Sequence, residues 1–221
     1  MHPPRHPRKV FPFCVVVSQL ALFACQANDI QTKPTATLPP PSPIPPSSTP
    51  VLGPLINGDF ETGDLTGWLT QASGNGRWLV YHADSTPPNI PAPPQGGHAA
   101  LTVMTSHGSH TLWQDVALDA RYILRFILFY VKDEGSFNDR NQLRVELMDP
   151  DSPTTSKEPA DVLATIYQTG QRDPLTLAPT SISFDLSSWK GRLVRIRFYE
   201  VDTLGPFRVG VDDVRLELLQ P

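Results

Sequence analysis

The chain is nearly without cysteine: in 221 residues only Cys14 and Cys25 carry a thiol, and both precede residue 26. No disulfide can brace the chain beyond them, so the fold there must rest on core burial, helped at most by a bound ion. Basic charge is also scarce. The net charge is −4, and removing the first 24 residues takes away three of the 18 basic residues and none of the 22 acidic ones, leaving −7. Such a balance argues against nucleic acid or an anionic membrane surface as the main partner. The longest apolar run, Val10–Ala24, is broken by Pro12 and by Ser18-Gln19 and falls short of the roughly 20 residues of a membrane span. Helical periodicity is missing after residue 55.

Catalytic signatures are missing as well. There is no Gly-x-Ser-x-Gly elbow, no phosphate-cradling glycine loop and no His-Glu-x-x-His. His107 and His110 stand three apart without a third ligand at matching spacing. Asp133, Glu134 and Asp139 share one loop and read as a solvated acidic turn. Arg125, alone on an apolar strand, reads as half of an ion pair. The chain is therefore expected not to be an enzyme.

Proline is what the chain has in excess, 25 residues of it, unevenly placed. Residues 1–24 combine Arg5, Arg8 and Lys9 with a short apolar core, the pattern of a secretory signal. Leu22-Phe23-Ala24-Cys25 resembles a bacterial lipobox, which would make Cys25 the lipidated new N-terminus, although Phe23 departs from the small or β-branched residue usual there. An ordinary signal with an incidental cysteine is the alternative. Residues 25–54 then form a spacer: Gln31–Pro54 holds nine prolines in 24 residues. A segment of that composition favours polyproline II and reaches on the order of 70 Å at about 3.1 Å per residue. Together these imply a protein anchored in a membrane by lipid alone and facing the extracytoplasmic side.

From residue 55 to 221 short apolar alternations are separated by turn residues. Strands are expected near Leu55–Phe60, Trp68–Ala72, Trp78–His82, His98–Met104, His110–Val116, Tyr122–Val131, Gln142–Met148, Leu163–Gln168, Thr180–Asp185, Leu193–Glu200 and Val209–Leu218. Evenly spaced short strands indicate an all-β antiparallel sandwich or barrel. Pro87–Pro94, with five prolines, must be an irregular loop, and Pro150–Pro159 is another. In the last strand Val209 and Val211 share one parity, while Val214, Leu216 and Leu218 share the other. The apolar face switches across Asp212-Asp213, which implies a bulge there.

Three blocks resemble one family. Asn57-Gly58-Asp59-Phe60-Glu61 with Gly67-Trp68 is similar to the opening of the jelly-roll carbohydrate-binding modules attached to bacterial xylanases and cellulases. Gly97–Leu101, Leu112–Val116 and Tyr122–Phe126 resemble their middle strands; Phe184–Leu186, Gly191, Val194–Phe198 and Val211–Leu216 resemble their closing ones. The resemblance implies a galactose-binding-like jelly-roll β-sandwich. It also implies a structural calcium held by Glu61, Asp212 and Asp213, a hard cation stapling the two chain ends. In jelly-roll order, His110–Val116, Leu193–Glu200, Gln142–Met148 and Leu163–Gln168 form one sheet, with Val194, Ile196, Phe198, Leu143, Val145 and Leu147 inward. Trp113, Arg144, Glu146, Tyr167, Arg195, Arg197 and Tyr199 then share the outer face. Aromatic planes beside charged forks suit a sugar, so an extracellular or cell-wall polysaccharide is the expected ligand there. Ordinary cross-strand ion pairs are the alternative for that face, and a protein–protein adhesion module is the alternative for the domain. Phe60 and Trp68 are expected in the core.

Overall fold

The computed structural model describes residues 55–103, 107–203 and 205–219, all within the compact unit Ser47–Pro221. The secretory signal, Cys25 and the proline-rich spacer lie outside the described residues. Within them the chain forms ten strands: β1 Leu69–Ser73, β2 Arg77–His82, β3 His98–Val103, β4 Gly108–Ala117, β5 Tyr122–Lys132, β6 Gln142–Met148, β7 Val162–Gln168, β8 Thr176–Asp185, β9 Leu193–Asp202 and β10 Phe207–Leu218. They pair antiparallel in two five-stranded sheets, β1-β4-β9-β6-β7 and β2-β3-β10-β5-β8. The protein is an all-β jelly-roll sandwich with the expected strand neighbours, widened at one edge of each sheet by β1 and β2. The strand ending at Asp185 begins four residues before its expected start, running through Pro179; β8 is an edge strand, where a missing N–H costs no ladder bond.

The inward parity holds. Val194, Ile196, Phe198, Leu143, Val145 and Leu147 are all buried, facing Leu124, Phe126, Leu128 and Tyr130 of β5. A second, smaller cluster of Tyr81, Ile90, Ala99, Leu101 and Phe129 lies apart from it. It is formed with the proline loop, which brings in Ile90 and accepts a 2.8 Å bond from the Tyr81 hydroxyl at Pro91 O. The Phe129 ring there fits only because residue 210 is glycine: a Cβ on Gly210 would overlap it.

The expected strand Leu55–Phe60 is absent, because two of its residues are left-handed. Asn57 has φ 48° and Phe60 φ 56°, and an extended run cannot contain them. The segment is instead a knot tied by the Asn57 side chain, whose amide donates to Asp64 O at 3.0 Å and Thr66 O at 3.1 Å. Its backbone still needs partners. The Gln114 side chain substitutes for a strand, accepting from Ile56 N at 2.7 Å and donating to Ile56 O at 3.0 Å. Phe60 and Trp68 are buried as expected, with ring centroids 5.7 Å apart. Trp68 in turn lies 6.0 Å from Phe198, which meets Phe126 edge-on at 5.3 Å.

The expected bulge in β10 is present. Pairing with β5 shifts register between Asp212 and Arg215, and Asp213 is left-handed at φ 50°. The Val214 N–H at this bulge donates to Gly58 O at 2.8 Å. Any Cβ at Gly58 would fall inside the Val214 carbonyl oxygen, and backbone cannot yield there. Gly58→Ala should therefore lower stability by about 1–3 kcal/mol, the usual cost of overpacking. A thermal melt unchanged by the substitution would show that the knot is not seated on the bulge.

Candidate functional site

Cross-strand register gathers most of the expected site residues. Trp113 and Glu146 both stand opposite Arg197, and Arg144 stands opposite Tyr199, on the outer face of the β1-β4-β9-β6-β7 sheet. The expectation of an open platform fails. The β6–β7 connection crosses this face as a strap, and the arginines hold it. Arg195 donates to Pro150 O at 2.6 Å and Ser152 O at 2.9 Å, while its fork grips Asp115 at 2.7 and 2.9 Å. Arg197 donates to Thr154 O and Ser156 O, each at 2.8 Å, and forms an ion pair with Glu146. Arg197 and Glu146 are 0 % exposed, Tyr199 5 % and Arg195 7 %, so a sugar laid on that face would meet the strap. A planar guanidinium with five donors suits backbone carbonyls as well as hydroxyls.

The aromatics of the face are engaged too. The Arg197 guanidinium lies 5.0 Å from the Tyr199 ring centre and the Arg195 guanidinium 5.8 Å from that of Trp113. Burial pulls the Arg197 pKa down, against the support of Glu146. Tyr167 departs from the expected face altogether. A register shift between Val145 and Glu146 sets it opposite the inward Val145, and it packs against the core with its hydroxyl 3.5 Å from that of Tyr130.

What stays open lies beside the strap, along β6 and β7. One hollow of about 340 Å³ is lined by Phe137, Asn138, Asp139, Gln142, Gln168 and Thr169, with Gly170 and Gln171 at its lip. Gln168 Nε2 donates to Gln142 Oε1 at 2.9 Å, and Gln142 Nε2 donates to Asp139 O at 3.0 Å. A second hollow of about 310 Å³ is lined by Arg144, Lys157, Pro159, Val162, Ala164 and Thr165. The two adjoin: Gln168 and Arg144 are register partners, and Lys157 Nζ donates to Asp139 O at 3.0 Å. Asp139, expected to be a bland acidic-loop residue, thus sits at the junction. No sequence pattern marks this groove, because three separate loops build it.

The carboxylates nominated for calcium divide. Glu61 Oε1 accepts from Gly97 N and His98 N, both at 2.9 Å, and these bonds hold its pKa below the usual carboxylate range, with the His98 bond first. Asp212 is buried and accepts from Gln95 N at 2.9 Å. Burial, then repulsion from Glu61 and Asp59, pushes its pKa up to about 7. A buried acid facing other acids is what a cation would relieve, so Glu61 and Asp212 fit calcium. Asp213 does not join them, since it pairs with Arg215 on the outside of the bulge. Among the described residues no group of three His, Cys, Asp or Glu side chains converges on a metal position, so backbone oxygens would have to complete the shell.

A group not foreseen from sequence lies inside the sandwich at one end. His110 Nδ1 and Glu200 Oε2 are 2.5 Å apart, and Lys132 Nζ donates to Asp202 at 3.2 Å, with all four side chains fully buried. The signal was available: the inward parity of β4, β5 and β9, followed to the strand ends, reaches His110, Lys132, Glu200 and Asp202. His107, by contrast, is exposed. Arg125 forms the anticipated ion pair, with Glu217 at 2.5 Å.

No family model matches the chain, and no curated protein matches it in sequence. Among solved structures it is similar to the K3 cleaved adhesin domain of Lys-gingipain from Porphyromonas gingivalis W83 (TM-score 0.49, 14 % identity, covering 74 % of this chain and 97 % of that one). It is also similar to the module TmCBM61 in complex with β-1,4-galactotriose (TM-score 0.44, 16 % identity, 75 % and 97 % covered). A third is a family 16 carbohydrate-binding module (TM-score 0.45, 13 % identity, 74 % and 98 % covered). The assignment to the jelly-roll class rests on this chain's own strand order.

The inner charges carry a pH signature. Burial pushes Glu200 up to about 7, although His110 opposes the shift. The folded chain then holds a proton that the unfolded chain releases at ordinary carboxylate pH, so this contribution to stability is present in acid and is lost as pH rises from about 4.5 to 7. Glu200→Gln should gain stability relative to wild type across that window and run parallel to it above. Urea titrations at pH 4.5 and 7.5 measure this, and an equal difference at both values would rule it out.

Proposed function

We propose that the protein is a surface lipoprotein whose jelly-roll module binds extracellular or cell-wall polysaccharide without cleaving it. The observation that carries this reading is the amide-lined hollow at β6–β7. Carboxamides offer donors and acceptors from one group, as sugar hydroxyls require, and Gln168, Asn138, Asp139 and Gln171 are exposed there. The sequence blocks shared with carbohydrate-binding modules and the stalk-like spacer behind Cys25 support the same reading. Binding is assigned to this groove rather than to the strapped face. On a glycan array, Gln168→Ala should weaken the captured glycan at least tenfold, while Tyr199→Phe should leave it unchanged. An array silent for the wild type, with a protein partner recovered instead, would replace the reading with an adhesion module on the same fold.

A calcium ion bound by Glu61 and Asp212, with backbone oxygens, belongs to this proposal. It would supply structural charge compensation between the entry knot and the β10 bulge. Calcium should raise the melting temperature over that in chelator at pH 7.5, and Asp212→Asn should remove the response. Identical melts of the wild type in calcium and in chelator would reject the ion.

A further inference from the structure

The second hollow is cationic in a chain that is otherwise acidic. Between residues 55 and 221 there are 14 basic and 21 acidic residues, yet the two charged residues that line this hollow, Arg144 and Lys157, are both basic. Arg144 donates to Glu146 Oε1 at 2.6 Å, and Arg197 pairs with the same carboxylate, which is fully buried. One acid therefore answers two arginines. Lys157 adds a third cation, with its ammonium 5.6 Å from the Tyr199 ring centre and one of its hydrogens on Asp139 O. Burial first, and then repulsion from Arg144, lower the Lys157 pKa against the opposing pull of Asp139.

The other walls are apolar or small: Pro159, Val162, Ala164 and Thr165. At about 310 Å³ the space sits at the lower bound of the about 300–1,000 Å³ typical of ligand pockets, which suits one sugar unit with its carbon face on Val162 and Pro159. The amide-lined hollow continues from it along the strands.

We propose that this hollow receives the carboxylate of an acidic sugar, so that the polysaccharide bound is a uronic-acid polymer. The inference rests on the glycan reading and specifies its ligand class. The carboxylate sits between Lys157 and Arg144, where a charge-assisted bond is strong, and the adjoining amides take the hydroxyls of the next unit.

The test is an array carrying polygalacturonate, alginate and hyaluronan beside neutral glucans, galactans, xylans and mannans, with sulfated galactan as a third class. The full chain is compared with Lys157→Gln, Lys157→Arg and, as a control of equal charge that lines neither hollow, Lys190→Gln. We expect at least one uronate polymer to be bound. Lys157→Gln should weaken that binding at least tenfold, Lys157→Arg should restore most of it, and Lys190→Gln should leave it unchanged. Raised salt should weaken it. Capture of neutral polymers alone, or of sulfated galactan without any uronate, would overturn the acidic-sugar inference and leave the glycan reading standing. Uronate binding indifferent to Lys157→Gln, or equally lowered by Lys190→Gln, would overturn it too. An array silent for all three classes would remove both readings together.

Discussion

The change of face in β10 at Asp212-Asp213 is the constraint that sets the closure of the sandwich. β10 lies between β3 and β5, pairing with β3 up to Val211 and with β5 on both sides of the bulge. A strand in that position cannot move its apolar residues from one face to the other without an added residue. The bulge supplies it, bringing Val209 and Val211 before it and Val214 after it into one core. The cost is a Val214 N–H out of step with β5, and a buried donor must be satisfied. Gly58 O satisfies it. The entry knot is thereby docked at the bulge, and Trp68, with Phe60 against it, reaches Phe198. The same step leaves Asp212 buried within the field of Glu61 and Asp59. One inserted residue thus sets both the way the domain closes and the burial of an acid among acids.

Most of the fold was legible because strand parity is a short-range code. Leu143 to Leu147 and Val194 to Phe198 alternate cleanly, and the valines around Asp212-Asp213 declare their own bulge. Legibility ended where backbone geometry overruled parity. Leu55–Phe60 looks extended in composition, but left-handed Asn57 and Phe60 coil it; Asn57-Gly58 is a turn dipeptide, whereas nothing local in a Phe announces positive φ. Counting in twos places Tyr167 outside; a register shift on an edge pairing turns it inward. The site was less legible than the fold. Parity puts Arg195, Arg197, Glu146 and Trp113 on one face, as the structure does, but the two arginines also bond loop carbonyls, which every residue has and no sequence pattern displays.

The strap changes what those arginines are for. A buried Arg–Glu pair is weak evidence for stability, since desolvation offsets its attraction. Its value here is positional. Thr154 O and Ser156 O have no sheet to join, and Arg197 gives both a partner while Glu146 balances its charge. Arg195 does the same for Pro150 O and Ser152 O with Asp115 behind it. Residues 150–156 are therefore held by charge-assisted bonds from below, without an apolar anchor comparable to Ile90 under the proline loop on the opposite sheet.

That mode of fixation has a consequence at its margin. The Arg195 end is neutral, because Asp115 belongs to it alone. The Arg197 end is not, because Glu146 must also serve Arg144, and the strap then delivers Lys157 to the same place. Arg144 and Lys157 thus line the hollow where the strap leaves the sheet, beside the edge pair β6–β7. The strap that closes the central platform to a ligand therefore creates, at its own exit, the charged and open groove that a ligand could use. Closing one surface and charging the next are two results of a single shared carboxylate.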